Sequence, residues 1–468
     1  MQPAQPRLSR RSFLRSGMLA TAAVSPLAPL LLRGAAANPN GIGPVASPYG
    51  TPVPTPDLAT GLPLLHLPPD FRYTSLSWNG DPMDDGTPVP SSHDGMAVVH
   101  TLNNRTRDLV LIRNHEVRTG STPIGPAAAP TYDPTGPAGC TVLTLRRGQL
   151  VDHRVALAGT HTNCAGGPTP WGTWLTCEEI TTDGDEPHGF VFEVPGRDPN
   201  TGAFLQATAN PITAMGRFAH EAAAVDPRSG YVYLTQDRPG ASGFYRFRPN
   251  VTPGSFGSLE QGGSLEMLSA LGAPHLGAPV QGTSFTANWV PITDPLADPY
   301  AEGILQGGTT FLRPEGCWWS EVDQVIYWID TQFPAGNGTL WRYTADGADG
   351  SGNGTLTAIF VGDTADEANG IDNLTVSPRG GLIACEDGGN DPQRLIGLTL
   401  DGCSYVFGEN NVDLSGGTPP GKSAAPISYT GLEFAGACFD PSGRYMFVNA
   451  LTPGITFAIT GPWGRGPL

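Results

Sequence analysis

The stretch from Asn163 to Glu179 reads NCAGGPTPWGTWLTCEE, a Gly/Pro/Trp-rich turn that delivers Cys177, Glu178 and Glu179 together. One soft thiol therefore stands beside two hard carboxylates. Three potentially anionic groups in a row are costly to gather in a folded site unless a cation neutralises them. The mixture also constrains the cation. Carboxylate oxygens suit calcium, magnesium, manganese and iron, whereas a thiolate points to a transition metal. The bland alternative is a strand end with a buried thiol and two solvated acids.

Other acids occupy comparable positions. His220-Glu221, Arg313-Pro314-Glu315, Asp372-Asn373 and Glu433 each stand just before an apolar stretch, and Asp237, Glu386 and Asp387 follow one. Asn114-His115-Glu116, after Leu109 to Ile112, has a similar local form. A single acid at a strand end is usually solvated, and His115 or His220 taken alone reads as a structural residue. Repetition changes the reading. If the strands converge, these side chains form a ring of oxygen ligands fit for calcium, with Cys177 offering a place for a redox-type metal.

The elements that position them are strands. Residues 222–237 read AAAVDPRSGYVYLTQD, 316–331 GCWWSEVDQVIYWIDT, 374–387 LTVSPRGGLIACED and 436–450 GACFDPSGRYMFVNA. Each is an apolar strand, a turn of acidic or Pro/Gly character, then a second apolar strand. Hairpins at such intervals predict an all-β fold, a β-propeller with inserted loops of about six blades, with the acids at one end of its central channel. A decorated β-sandwich is the competing architecture.

Composition agrees. Gly 62 and Pro 47 among 468 residues describe a chain of many turns and few long helices. The net charge of −17 argues against nucleic acid and anionic membranes as partners. It also means that an anionic substrate needs bound cations to reverse the local field. The seven cysteines are odd in number and form no regular disulfide or zinc framework, and Cys317 and Cys385 read as small core residues.

Ser9-Arg10-Arg11-Ser12-Phe13-Leu14 is a twin-arginine pattern, followed by a weakly apolar run from Gly17 to Leu32 and by Ala35-Ala36-Ala37. That is the layout of a removable export signal covering residues 1–37, with an uncleaved anchor as the alternative. The remaining residues 38–468 are read as one domain, monomeric, exported folded and located in the periplasm or outside the cell. The twin-arginine route lets a metal be chosen in the cytoplasm before export.

Residues 163–179, Arg217 to Glu221, Phe311 to Gly316, Glu433 to Asn449 and Pro453 to Trp463 together resemble the PhoX alkaline phosphatase family of exported bacterial enzymes. The resemblance runs from about Asn114 to the end. It implies a six-bladed propeller, a channel cofactor of iron and calcium, and hydrolysis of phosphate monoesters. It further implies that Cys177 ligates iron with Glu178 alongside, and that Glu221 and Glu315 hold metals. Arg313 would contact phosphate, Glu386 and Asp387 would complete the calcium shell, and Glu116 and Glu179 are further ligands. Catalysis would then rest on Arg313, Glu315 and Cys177, although Arg313 also reads as an ordinary structural pair for Glu315.

The chemistry is coherent, since cations would hold the phosphoryl oxygens while a guanidinium clamps the remainder. The sequence contains no GxSxG elbow and no P-loop, so it supports neither a serine hydrolase nor a nucleoside triphosphatase of those types. Two other functions remain open on sequence grounds. One is a calcium-dependent lactonase or esterase, in which Cys177 is superfluous. The other is a non-catalytic binding propeller stiffened by calcium.

Overall fold

The computed structural model describes residues 43–332 and 336–468, and the export-signal pattern lies outside them. The described chain is built from strands, and Pro299–Leu305 is its only α-helix. No helix among the described residues is long and apolar enough to cross a membrane.

The four hairpins expected from the sequence form as antiparallel pairs. His220–Val225 pairs with Val232–Gln236, and Pro314–Ser320 with Val325–Asp330. Ile371–Val376 pairs with Leu382–Glu386, and Phe434–Phe439 with Tyr445–Ala450. Their turns are fixed by side chain to backbone bonds. Asp440 Oδ1, for example, accepts from Arg444 N at 2.8 Å and Tyr445 N at 2.6 Å, so the carboxylate closes the turn that its Asp-Pro sequence initiates. Two further hairpins precede these, His93–Thr101 with Asp108–His115 and Asn163–Pro168 with Trp174–Glu178.

The strands form five sheets arranged like propeller blades. The innermost strands begin at His93, Asn163, His220, Pro314, Ile371 and Phe434. Each lies against the next, and the last returns to the first, so that they enclose an axis. Their backbones approach closely enough to forbid side chains at some positions. A Cβ on Gly95 would stand 2.5 Å from Ala165 Cα, and one on Gly316 would stand 2.4 Å from Leu374 N.

Irregular spacing of the hairpins has two structural causes. The long strand Ser284–Ile292 pairs with Gly263–Ala270 on one side and Gly354–Val361 on the other, fusing two hairpin systems into a nine-stranded sheet. The final sheet borrows its outer strand from the start of the fold, because Arg72–Trp78 pairs with Ile455–Thr460.

Apolar layers between neighbouring sheets make up the core. One holds Val110, Val142, Trp174 and Phe192, a second Tyr327, Leu340, Leu374 and Ile396, and a third Phe407, Phe434, Val448 and Phe457. Each such fully buried side chain contributes about 1.5–3 kcal/mol relative to exposure. Cys317 and Cys385 lie in these layers, as the sequence led us to expect.

Candidate active site

One local device recurs in the innermost strands. Register shifts interrupt the pairing between His93 and Met96, His220 and Ala223, Pro314 and Cys317, and Ile371 and Leu374. In each, two residues oppose one on the partner strand, which is a β-bulge, and a bulge re-aims a side chain out of the regular alternation. The first bulged residues are Asp94, Glu221, Glu315 and Asp372. The Asn163 strand does the same, since Asn163 pairs with Glu178 and Gly166 with Thr176, leaving Cys164 and Ala165 opposite Cys177 alone. In the Phe434 strand the bulge begins at Gly436, with φ +62°, and Glu433 supplies the carboxylate from three residues upstream.

The residue just beyond several second strands adds another tier: Glu116, Glu179 and Asp387. The two tiers meet. Asp94, Glu116 and Cys164 place ligand atoms within 4.8 Å of one another, as do Cys164, Glu179 and Glu221. The same holds for Glu221, Glu315 and Asp372, and for Asp372, Asp387 and Glu433. Because each group shares a member with the next, the result is a continuous arc of eight carboxylates and one thiol.

Electrostatics show what such an arc requires. Burial, followed by neighbouring carboxylates, raises Asp94 to about 8. Glu116 rises to about 7 for the same reasons, although Arg118 opposes the rise. Glu179 rises to about 8, again with burial leading and Arg118 opposing. Burial and like charge push Glu221, Glu315, Asp372 and Glu433 well above the usual carboxylate range. Asp94 Oδ2 and Glu221 Oε2 are buried without a hydrogen-bond partner. Orphaned oxygens among crowded acids fit bound cations, which would satisfy both the lone pairs and the charge. The donor set is hard oxygen throughout except at Cys164, whose Sγ donates to Glu221 Oε1 at 3.1 Å.

Two guanidiniums flank the arc. Arg313 donates through Nε to Asp237 Oδ1 at 2.8 Å and through Nη2 to the other carboxylate oxygen, and Nη2 stands 3.4 Å from Glu315 Oε1. The Leu312 and Arg313 backbone amides donate to Asp330 at 3.1 and 2.8 Å, fixing the segment that carries the side chain. Arg118 bridges Glu116 and Glu179, at 2.8 Å from Glu179 Oε2. Arg313 is 28% exposed and Arg118 58%, so both remain reachable from solvent.

Of the residues singled out from the sequence, Glu116, Glu179, Glu221, Glu315, Asp372, Asp387 and Glu433 enter the arc, and Arg313 and Asp237 stand beside it. Three do not. Cys177 is fully buried among apolar side chains including Val191, Met215 and Phe218, and burial pushes its thiol far up. Glu178 turns into its own sheet, where its oxygens accept from His161 N at 3.0 Å, Gly189 N at 2.8 Å and Phe190 N at 3.1 Å. His188 Nδ1 lies 2.7 Å from the same carboxylate. Burial pulls the His188 imidazole down, but Glu178 and Asp133 outweigh it and hold it above its ordinary value. Glu386 is likewise consumed, by Asn369 N at 2.8 Å and by the Arg394 guanidinium at 2.6 and 2.8 Å.

Cys164 and Asp94 join the arc without having been singled out, and Arg118 is a further addition beside it. A signal for the first tier exists in the sequence. His93-Asp94-Gly95, Asn163-Cys164-Ala165, His220-Glu221-Ala222 and Pro314-Glu315-Gly316 share one form, a potential ligand followed by a small residue at the head of an apolar strand. The small residue is what lets the neighbouring backbone approach.

A ring of blades carrying a buried acidic and thiol centre at one end defines a propeller-like fold with a candidate cation site in its channel. The sequence matches the model of the alkaline phosphatase PhoX family over residues 48–454, and the chain belongs to that family of phosphomonoesterases. Among solved structures it is similar to Pseudomonas fluorescens PhoX in complex with vanadate, a transition-state analogue, at 17% identity and a TM-score of 0.62, covering 89% of this chain and 98% of that one. It is also similar to XC5397, a gluconolactonase from Xanthomonas campestris, at 13% identity and a TM-score of 0.41, covering 88% and 98%. A luciferin-regenerating enzyme matches at 11% identity and a TM-score of 0.40, covering 84% and 95%. No curated protein sequence matches.

Proposed function

We propose that this phosphomonoesterase works through iron and calcium held by the arc, with Cys164 in the place that the sequence reading gave to Cys177. The observation that carries the reading is the continuity of the arc. Eight carboxylates gathered around one thiol, their proton affinities raised by burial and by one another, are placed to exchange those protons for several cations. Asp94, Glu116, Cys164, Glu179 and Glu221 would hold the thiophilic metal at one end. Glu315, Asp372, Asp387 and Glu433 would hold calcium at the other.

The chemistry supplied by the bound cations is polarisation of the phosphoryl group and acidification of water. The protein's own groups complete the task. Arg313, whose Nε and Nη2 are held by Asp237, would use its charge and its remaining N–H groups to stabilise the charge spread over the transferred group. Asp237 keeps the guanidinium oriented by its bidentate bond. Arg118 presents a second cation from the opposite flank and, by bridging Glu116 and Glu179, fixes the two carboxylates relative to each other. The reading needs no covalent nucleophile.

The same reading counts the innermost strands as marking six blades in a single domain, residues 38–468. It takes the first 37 residues as a twin-arginine export signal, the mature protein as a monomer outside the cytoplasm, and a small phosphate ester as its substrate. The test is metal analysis of the purified protein together with hydrolysis of p-nitrophenyl phosphate before and after chelation. Iron plus calcium, with activity lost on chelation and restored by calcium, is expected. Undiminished hydrolysis after complete metal removal would refute the cofactor assignment.

A further inference from the structure

A cavity of about 480 Å³ opens at Asp237, the partner of Arg313, and is bounded by residues that also include Thr181, Arg217, Phe218, Arg238 and Pro299. Its walls come from the segment preceding the His220 strand and from the segment following Gln236. Both belong to the end of the blades that carries the arc. Asp237 joins the two places directly, because the carboxylate that lines the cavity is the one that grips Arg313. Arg313 and the cavity thus share Asp237, and the volume matches that of a small-molecule pocket.

The wall chemistry narrows the occupant. Phe218, Ala219, Pro239, Ala297 and Pro299 supply the apolar part of a mixed lining, to which Asp237, Arg238 and Asp298 add charge. Arg217 is committed, donating to His188 O at 2.8 Å and Thr181 O at 3.0 Å and pairing with Asp183. Arg238 is not held in that way. Its backbone is fixed by Ser242, whose Oγ accepts from Arg238 N at 2.8 Å and donates to Arg238 O at 2.8 Å. Its guanidinium, by contrast, is 50% exposed, lies over the Tyr300 ring at 5.5 Å and reaches Asp298 Oδ2 only at 3.5 Å. Asp298 is itself engaged through Oδ1, which accepts from Ala301 N at 3.0 Å. A cation on a rigid backbone, loosely paired and facing a cavity, is suited to an incoming anion.

We propose that this cavity receives the alcohol portion of the ester and that Arg238 selects phosphomonoesters whose alcohol carries a second anionic group. The inference rests on the phosphomonoesterase reading of the arc and adds a substrate class to it. A neutral alcohol would use the apolar part of the lining, whereas a carboxylate or second phosphate would replace the long Arg238–Asp298 contact with a full charge-assisted pair.

The experiment compares kcat/KM for 3-phosphoglycerate, whose leaving alkoxide carries a carboxylate, with kcat/KM for p-nitrophenyl phosphate. Wild type, Arg238→Ala, Arg238→Glu and Arg238→Lys are each assayed with metals loaded. The ratio favouring 3-phosphoglycerate is expected to fall about tenfold in Arg238→Ala, to fall further in Arg238→Glu and to be largely retained in Arg238→Lys. A ratio constant within about twofold across all four proteins overturns the subsite. Hydrolysis of neither ester by the wild-type protein overturns this inference and the reading beneath it together.

Discussion

Cys164 lies 3.1 Å from Glu221 Oε1 across two neighbouring innermost strands, and that contact ties the thiol to the carboxylates. Cys177, on the strand paired with Cys164, is sealed in the apolar layer behind it. Cys164→Ser is expected to lower iron content and to reduce phosphate ester hydrolysis by about 100-fold or more, the scale of losing an electrostatic catalytic element. Cys177→Ala should leave metal content intact and cost about 1–2 kcal/mol of stability, as a small buried truncation does. Elemental analysis and thermal unfolding of both variants check the assignment, and normal iron in Cys164→Ser would defeat it.

Arg313 and Asp237 form a bidentate pair, so removal of either disturbs the same fork. Arg313→Ala should reduce kcat/KM by about 100-fold, near 3 kcal/mol of transition-state stabilisation, while metal content stays close to that of the wild type. Asp237→Asn should give a smaller loss, because the guanidinium remains but is less well oriented. Equal losses of metal and activity in Arg313→Ala would recast the arginine as structural.

The raised carboxyls make cation binding compete with protons. Asp94 and Glu179 at about 8 and Glu116 at about 7 are largely protonated in metal-free protein at pH 6. Cation binding should release protons there, and affinity should climb with pH and level off above about 8. The stability of the metal-free form follows with a definite sign. A carboxyl raised on folding stabilises below its unfolded pKa near 4, and that contribution is lost as pH rises through the folded value. Tm of chelated protein should therefore fall between about pH 5 and 8, while metal-loaded protein shows no such decline. Calorimetry in weakly buffered solution reads both effects.

Glu178 accepts bonds from three backbone amides and faces His188, all within its own sheet. Glu178→Gln is expected to destabilise the fold by about 2–4 kcal/mol, because it replaces acceptor oxygens at a fully buried network with a donor group. The iron and calcium content of the folded fraction should be unchanged. Loss of metal at preserved stability would return Glu178 to the arc.

The hairpins were legible because strand, turn and strand each left their own residues in the sequence, as in 222–237 and 436–450. The site was legible only to the nearest residue or two. Glu221 and Glu315 were found because each stands immediately before an apolar run. Cys177, Glu178 and Glu386 were misplaced because facing in a strand depends on parity, and a bulge shifts parity by one. Nothing in the letters NCAGG states that Cys164 and Ala165 share one partner. Arg118 escaped notice for a different reason, since it lies in a loop and its role exists only where Glu116 and Glu179 approach each other.

The sheet that joins Arg72–Trp78 to Ile455–Thr460 has a consequence for how the ring closes. Asn449 Nδ2 donates to Asp94 O at 2.6 Å, so the bulged acid of the first innermost strand is braced by a residue 355 positions further along the chain. Cations held along the arc would therefore also hold the ring closed, since its ligands come from the first innermost strand and the last.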